Sequence, residues 1–88
     1  MNDNIKRFLD PSGKIKIWPS KTEMKINILK YLSDNFEYGR YYSEKEVNKI
    51  INENHTFNDY FLLRRGMIDY KFLRRTNDGS RYWREKNE

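Results

Sequence analysis

Apolar residues recur along this chain at two spacings, helical and strand-like, and the change from one to the other outlines its elements. Every fourth residue is apolar over one stretch, at Met24, Ile28, Leu32 and Phe36. That spacing places an apolar face on a helix, which we predict over about residues 21–35. Ser20 and Glu23 stand three residues apart at its start, which predicts a capping box there.

A second helix is predicted from another capping box, Ser43 with Glu46. The apolar residues behind it follow at helical spacing, at Val47, Ile50 and Ile51. The helix should end at about Asn52. Residues 41–42, just before it, are long enough only for a stub of strand.

A third helix is predicted to begin after Thr56, as its N-cap, and to end near Tyr70. Its apolar arc contains Phe57, Tyr60, Phe61, Leu63, Met67 and Ile68. Gly66 lowers the helix propensity within this arc without ending the pattern. Lys71 stands where a glycine usually forms the left-handed cap.

The chain ends in a predicted β-hairpin. Residues 72–76 and 80–84 read as two strands, and Asn77-Asp78-Gly79 between them is a strong short-turn signal. The order is therefore helix, strand stub, helix, helix, hairpin. This order predicts an α+β, mainly α fold, a winged helix-turn-helix of three helices and a C-terminal hairpin wing.

The domain boundaries follow from the same pattern. Residues 20–85 form the winged-helix domain. Residues 1–19 form a short N-terminal extension, a helical turn and an extended segment joined at Asp10 to Gly13, which we expect to pack on the core. Residues 86–88 are expected to be a frayed tail.

Length and composition restrict the class of protein. Eighty-eight residues suffice for one domain, and 16% aromatic residues supply apolar surface for a core although 35% of residues are charged. With no cysteine and one histidine, we expect no disulfide, metal site or cofactor. No apolar run has the length of a signal peptide or membrane span, so we expect a cytoplasmic protein.

The net charge of +5 favours an anionic partner. Residues 33–59 hold six acidic and three basic residues, whereas residues 60–88 hold eight basic and four acidic ones. We therefore predict a nucleic-acid partner, DNA rather than RNA, bound by the third helix and the hairpin. The predicted contact residues are Arg65, Lys71, Arg74, Arg81, Trp83 and Arg84.

Four other residues of this region are predicted to form structural ion pairs, namely Asp59, Arg64, Asp69 and Arg75. Arg64 falls inside the apolar arc of the third helix, where a guanidinium needs a carboxylate, and Asp59 and Asp69 are the nearby candidates. Asp69 also follows Arg65 by four residues, a favourable spacing for a helical ion pair.

The exposed face of the third helix offers little for reading bases. It is predicted to contain Asn58, Leu62, Arg65, Gly66 and Asp69. Only one of these is basic, so any sequence selectivity should be weak. On the hairpin, Arg74 and Arg75 must point to opposite faces, so we expect one of them to be structural.

Two residues have competing interpretations. Trp83 could stack on the bases of a single strand, or it could pack on the helices, which is commoner for an aromatic residue on a strand. His55 is predicted to be a surface residue, because no nucleophile with an orienting acid can be argued beside it. Without a phosphate loop or nucleophile elbow, we expect no enzyme.

A set of short motifs carries a family resemblance: Trp18-Pro19, Tyr42-Ser43-Glu44-Lys45-Glu46-Val47-Asn48, His55-Thr56-Phe57 with Asp59-Tyr60, Leu63-Arg64-Arg65, Asp69-Tyr70, Leu73 with Arg75, and Gly79-Ser80-Arg81-Tyr82-Trp83-Arg84. In this order they resemble the bacterial family called domain of unknown function 2087, from about Phe8 to Arg84. The family occurs as small stand-alone proteins and appended to helix-turn-helix regulators, which implies a link to gene regulation.

The resemblance also bears on the charged residues. The family pattern includes Asp59, Arg64, Arg65, Asp69, Arg75 and Arg84. These implied residues form either an ion-pair lattice that holds the wing or an anion-binding surface. Lys71 and Gly66 depart from the pattern, which usually has a glycine near the former and a helix former at the latter.

Three hypotheses follow. The first is a DNA-binding winged-helix module in transcription regulation that contacts mainly phosphates. The second is a non-enzymatic protein-interaction or sensory domain of the same fold, which docks a partner or dimerises without binding DNA. The third is RNA binding through Trp83.

Overall fold

The computed structural model describes residues 3–86. Its elements are a 3-10 helix at Asp3–Phe8, α1 at Thr22–Ser33, α2 at Glu44–Asn52, α3 at Tyr60–Asp69, β1 at Leu73–Arg75 and β2 at Tyr82–Arg84. The predicted order is confirmed, and the fold is α+β, mainly α, in a layout consistent with a winged helix. The frayed tail predicted for residues 86–88 lies largely outside the described residues.

A third short strand joins the hairpin. Tyr42 forms an antiparallel bridge with Tyr82, in which each backbone N–H donates to the other residue's carbonyl at 2.8 and 2.7 Å. The stub predicted between the first two helices is therefore present. It ties the start of α2 to the edge of β2, which fixes the hairpin beside the helices.

Of the three predicted N-caps, only that of α2 is present. Ser43 and Glu46 form the predicted capping box, with hydrogen bonds of 3.1 and 2.8 Å. The box predicted at Ser20 is wrong, because the N-cap of α1 is Lys21 and no side chain caps it. The N-cap predicted at Thr56 is also wrong, since Asp59 caps α3 by accepting the Leu62 N–H.

The core lies among the three helices, the N-terminal segment and the hairpin. Its fully buried side chains include Ile15, Ile28, Leu29, Leu32, Phe36, Val47, Ile51, Leu63, Met67 and Leu73. Three residues of the predicted apolar face are among them, namely Ile28 and Leu32 in α1 and Phe36 just after it. The spacing of four residues therefore marks the buried side. Among residues 3–86, no helix is long and apolar enough to cross a bilayer.

The N-terminal segment packs on this core through Ile15, as expected. Its N–H donates to the Asn54 carbonyl and its carbonyl accepts from the Thr56 N–H, each at 2.9 Å. Ile15 is completely buried and also bridges Leu9. The extended segment thus passes between the first turn of the chain and the α2–α3 connection.

His55 is part of that connection and is buried, so the surface position predicted for it is wrong. Its Nδ1 lies 2.7 Å from the Ile51 carbonyl, and its Nε2 accepts the Asp59 N–H at 2.8 Å. A ring that donates at Nδ1 and accepts at Nε2 is neutral. His55 therefore holds the end of α2 against the cap of α3.

α3 is rotated about its axis relative to the prediction, and the packing of Gly66 accounts for the difference. A Cβ at Gly66 would lie 3.2 Å from Leu29 Cδ1, so Gly66 faces α1 and lets the two helices approach closely. Leu63 and Met67 are buried on the same side. Phe61, assigned to the apolar arc, is instead 54% exposed.

Candidate nucleic-acid interface

The hairpin has an inner and an outer face, and its register assigns each arginine to one of them. Arg75 pairs with Tyr82, and Arg74 pairs with Trp83. Because side chains alternate along a strand, these two pairs lie on opposite faces. Tyr82 is buried, so Arg75 shares the inner face, and Arg74 with Trp83 lies on the outer face.

An open groove of about 400 Å³ lies between α3 and the inner face of the hairpin. It is lined by Glu44, Phe61, Arg64, Arg65, Ile68, Asp69, Arg75 and Tyr82. The lining therefore includes three guanidinium groups, two carboxylates and the exposed aromatic ring of Phe61. We call this region the α3–hairpin groove.

Glu44 organises the floor of the α3–hairpin groove. One carboxylate oxygen accepts the Tyr82 hydroxyl at 3.1 Å, and the other lies 3.6 Å from the Arg64 guanidinium. Burial raises the pKa of the Tyr82 hydroxyl, and the hydrogen bond to Glu44 raises it further. Glu44 thus joins α2 to both α3 and the hairpin.

Arg64 is structural, with a side chain only 15% exposed, as the ion-pair prediction required. Its carboxylate partner is Glu44, so the partners predicted for it, Asp59 and Asp69, are wrong. Arg64 also donates to the Asn48 Oδ1 at 2.6 Å. Both true partners lie on α2, which spacing along α3 alone could not indicate.

Asp59 and Arg75 do not form the ion pairs predicted for them within residues 3–86. Asp59 is used as the cap of α3. The Arg75 guanidinium donates only to two backbone carbonyls of the turn, those of Thr76 and Asn77, at 3.2 and 3.3 Å. Among the described residues no carboxylate lies within ion-pair distance of this guanidinium, although Glu44 lines the same groove.

Arg65 is the exposed cation of α3. Its side chain is 70% exposed and lies 3.8 Å from Asp69, as the spacing of four residues predicted. A surface pair at this distance is worth at most about 1 kcal/mol, so it restrains Arg65 little. Arg65 can therefore reach a ligand above the groove.

Arg84 departs most from its predicted role as a ligand contact. Its guanidinium donates to the Phe36 carbonyl at 3.1 Å and to Asp34 at 3.0 Å, and it lies 4.1 Å from the centre of the Tyr38 ring. Only 15% of the side chain is exposed. Arg84 ties β2 to the end of α1 and has no free donor surface comparable to that of Arg65.

The remaining predicted contacts lie outside the groove. Arg74 is 56% exposed, 3.8 Å from Glu85, and Arg81 lies over the Tyr41 ring at 5.1 Å. Trp83 is partly buried on the same outer face. Lys71 follows α3 with a φ of 67°, the left-handed conformation expected at this cap. Of the six predicted contacts, only Arg65 lines the groove.

The sequence patterns do not identify the residues that link α2 to α3 and the hairpin. These residues are Glu44 and Asn48, which lie within a predicted helix where the sequence indicates only a cap and a polar face. Tyr41, in the predicted strand stub, is 63% exposed, which the sequence does not indicate. In residues 3–86 no group of three acidic or histidine side chains is placed to hold a metal.

The turn of the hairpin depends on the charged form of Asp78. Its carboxylate accepts from the Ser80 N–H at 3.0 Å and from the Thr76 hydroxyl at 2.8 Å, and these bonds lower the pKa of Asp78 to about 2. Because the folded pKa lies below the ordinary aspartate value of 3.8, this stabilisation is complete above about pH 4 and is lost as the pH falls through 2.

We therefore expect the Ser80 amide resonance to titrate with a midpoint near pH 2 in an acid series followed by NMR. Thr76→Val removes one donor and should move the midpoint towards 3.8. A wild-type midpoint already at 3.8 would show that the turn does not use these bonds.

Comparison with known proteins gives one result. A family model described as "Uncharacterized protein conserved in bacteria (DUF2087)" matches residues 14–84. The match runs from the extended N-terminal segment to the last residue of β2, and it confirms the resemblance carried by the sequence motifs. No curated protein and no solved structure matches the chain.

Proposed function

Because the chain belongs to the bacterial family DUF2087, whose description names no activity, we propose its function from the geometry of the α3–hairpin groove. The proposed function is non-enzymatic binding of duplex DNA in transcription regulation, mainly through phosphate contacts. The observation that carries the proposal is the position of Arg65 and Arg75, two surface guanidinium groups on either side of that groove.

The charges around the groove support a phosphate ligand. Arg75 lacks a carboxylate partner within residues 3–86, and the pair between Arg65 and Asp69 is long and exposed. A phosphate can therefore replace weak partners, which costs little, and form charge-assisted hydrogen bonds in return. In a winged helix, the third helix and the wing are the two elements that meet DNA.

The same surface argues for weak sequence selectivity. The exposed side chains of α3 around the groove are those of Phe61, Arg65 and Asp69. Only Arg65 has the donor geometry that reads a guanine edge, while Asp69 repels phosphate. Binding should therefore depend on the backbone of the duplex more than on its bases.

A salt titration tests this proposal. Two to four phosphate contacts predict that the logarithm of the association constant falls with the logarithm of salt concentration with a slope of about −2 to −4. Two duplexes of unrelated sequence should give similar slopes and affinities in fluorescence anisotropy. Affinity that does not change with salt, or no binding at low salt, would reject the proposal.

A second candidate function is docking of a protein partner on α3. The observation that favours it is Phe61, a large apolar side chain 54% exposed at the edge of the groove. If that partner is a second copy of the chain, analytical ultracentrifugation should show self-association, and Phe61→Ser should abolish it. A monomer at all concentrations would remove self-association as the role of this face.

A further inference from the structure

The outer face of the hairpin has a surface that duplex binding in the groove does not use. Tyr41 and Trp83 meet there edge to face, with ring centres 5.7 Å apart and planes at 87°. A cleft of about 150 Å³ opens beside them and is lined by Gly39, Arg40, Tyr41 and Trp83. We call this surface the outer aromatic cleft.

Tyr41 is exposed although the next residue in the chain is part of the core. Its neighbour Tyr42 is 3% exposed and lies against Phe36, whereas Tyr41 is 63% exposed. Tyr42 pairs with Tyr82 in the sheet, so alternation turns Tyr41 to the side of Trp83. The Tyr41 ring, being largely exposed, offers a surface on which a planar group can stack.

The cations at the outer aromatic cleft differ in their availability. Arg40 lies over the Tyr42 ring and is 3.7 and 3.6 Å from Glu37 and Glu46, so two carboxylates compete with a ligand for its guanidinium. Arg81 lies over the Tyr41 ring, and no carboxylate of residues 3–86 pairs with it. Arg81 thus supplies a positive charge directly beside a stacking surface.

We infer that the outer aromatic cleft is a second nucleic-acid site, in which an unpaired base stacks on the exposed ring of Tyr41, next to Trp83, while Arg81 contacts the adjacent phosphate. Aromatic faces beside arginines are the usual means of holding single strands, because every base has a π-face and every nucleotide has a charge. Duplex DNA does not fit this site, since its bases are stacked on one another. The ligand is therefore a single-stranded segment of DNA or RNA.

Three oligomers of about eight nucleotides test the inference by fluorescence anisotropy: oligothymidylate, oligouridylate and an abasic deoxyribose-phosphate chain. We expect the abasic oligomer, which has the same phosphates without bases, to bind roughly 10- to 100-fold more weakly than oligothymidylate. Binding of either base-containing oligomer supports the site, and the tighter of the two identifies DNA or RNA as the source. Equal affinity for the abasic oligomer would overturn the inference.

Matched variants assign the effect to this cleft. Tyr41→Ala should weaken oligothymidylate binding roughly 10- to 100-fold, while Tyr41→Phe, which keeps the ring, should bind like the wild type. Since Tyr41 is exposed, neither change should affect folding. Unchanged affinity of Tyr41→Ala would overturn the inference.

Tryptophan emission gives an independent readout, because only Trp18 and Trp83 are present. In a Trp18→Phe background, oligothymidylate should quench the emission of Trp83 and the abasic oligomer should not. Binding without quenching would place the base elsewhere and overturn the inference.

The two nucleic-acid sites can fail separately. Arg65→Ala with Arg75→Ala should weaken duplex binding and leave oligothymidylate binding intact, while Tyr41→Ala should do the reverse. Loss of both ligands from Tyr41→Ala would show that the cleft is not a separate site and would overturn the inference.

Discussion

Replacing Arg65 and Arg75 together by alanine is expected to weaken the binding of duplex DNA roughly 10- to 100-fold at low salt. Both guanidinium groups face the α3–hairpin groove, and neither contributes a strong ion pair to the fold. Removing two phosphate contacts should also make the slope of the salt dependence shallower by about 2. Anisotropy titrations of one duplex at four salt concentrations measure both effects.

The matched control removes the same charge elsewhere. Lys14 and Lys16 are exposed on the N-terminal segment, so Lys14→Ala with Lys16→Ala lowers the net charge equally and leaves the groove intact. This double variant should lose less than about threefold in affinity, because only long-range attraction changes. Equal losses in the two double variants would mean that net charge alone, and not the groove, attracts the duplex.

Replacing Arg84 by alanine is expected to lower the free energy of unfolding by about 2 kcal/mol, with no loss of duplex affinity in the folded protein. The change leaves the Phe36 carbonyl and Asp34 without their donor and removes a cation from the Tyr38 ring. In a domain of this size the melting temperature should fall by roughly 8–16 °C. Urea unfolding followed by circular dichroism gives the free energy directly.

Two variants sharpen the Arg84 experiment. Arg84→Lys keeps the charge but cannot present the planar fork that reaches both acceptors, so it should recover only part of the stability. Arg81→Ala removes a guanidinium just before the start of the same strand and should change stability by less than about 0.5 kcal/mol, since Arg81 is exposed. A similar loss from Arg81→Ala, or none from Arg84→Ala, would contradict the structural role of Arg84.

Local patterns predicted the elements well and the rotation of α3 poorly. The capping box at Ser43 and the turn signal at Asn77-Asp78-Gly79 depend on residues three or four apart, and both features are present. The face of α3 depends instead on Gly66 meeting Leu29 across the core. The helix propensity of a glycine is a local property and does not indicate such a contact.

The charged residues show the same difference between local and long-range interactions. Arg65 and Asp69 lie four residues apart on one helix, so their pair could be predicted from spacing. Arg64 pairs with Glu44, 20 positions earlier in the chain, and Arg84 with Asp34, 50 positions earlier. The six arginines of residues 60–88 thus have different structural roles, although their neighbours in the sequence are similar.

The amino-acid sequence is enough to predict the order of helices and hairpin, the cap of α2, the excess of positive charge and the family. These properties depend on composition or on interactions within a few residues of the chain. Packing between elements, in contrast, encloses Arg64 and Arg84, brings Arg65 and Arg75 to one groove and leaves Tyr41 facing solvent. A guanidinium or a ring takes its role from a partner on another element, so no local pattern reveals that role.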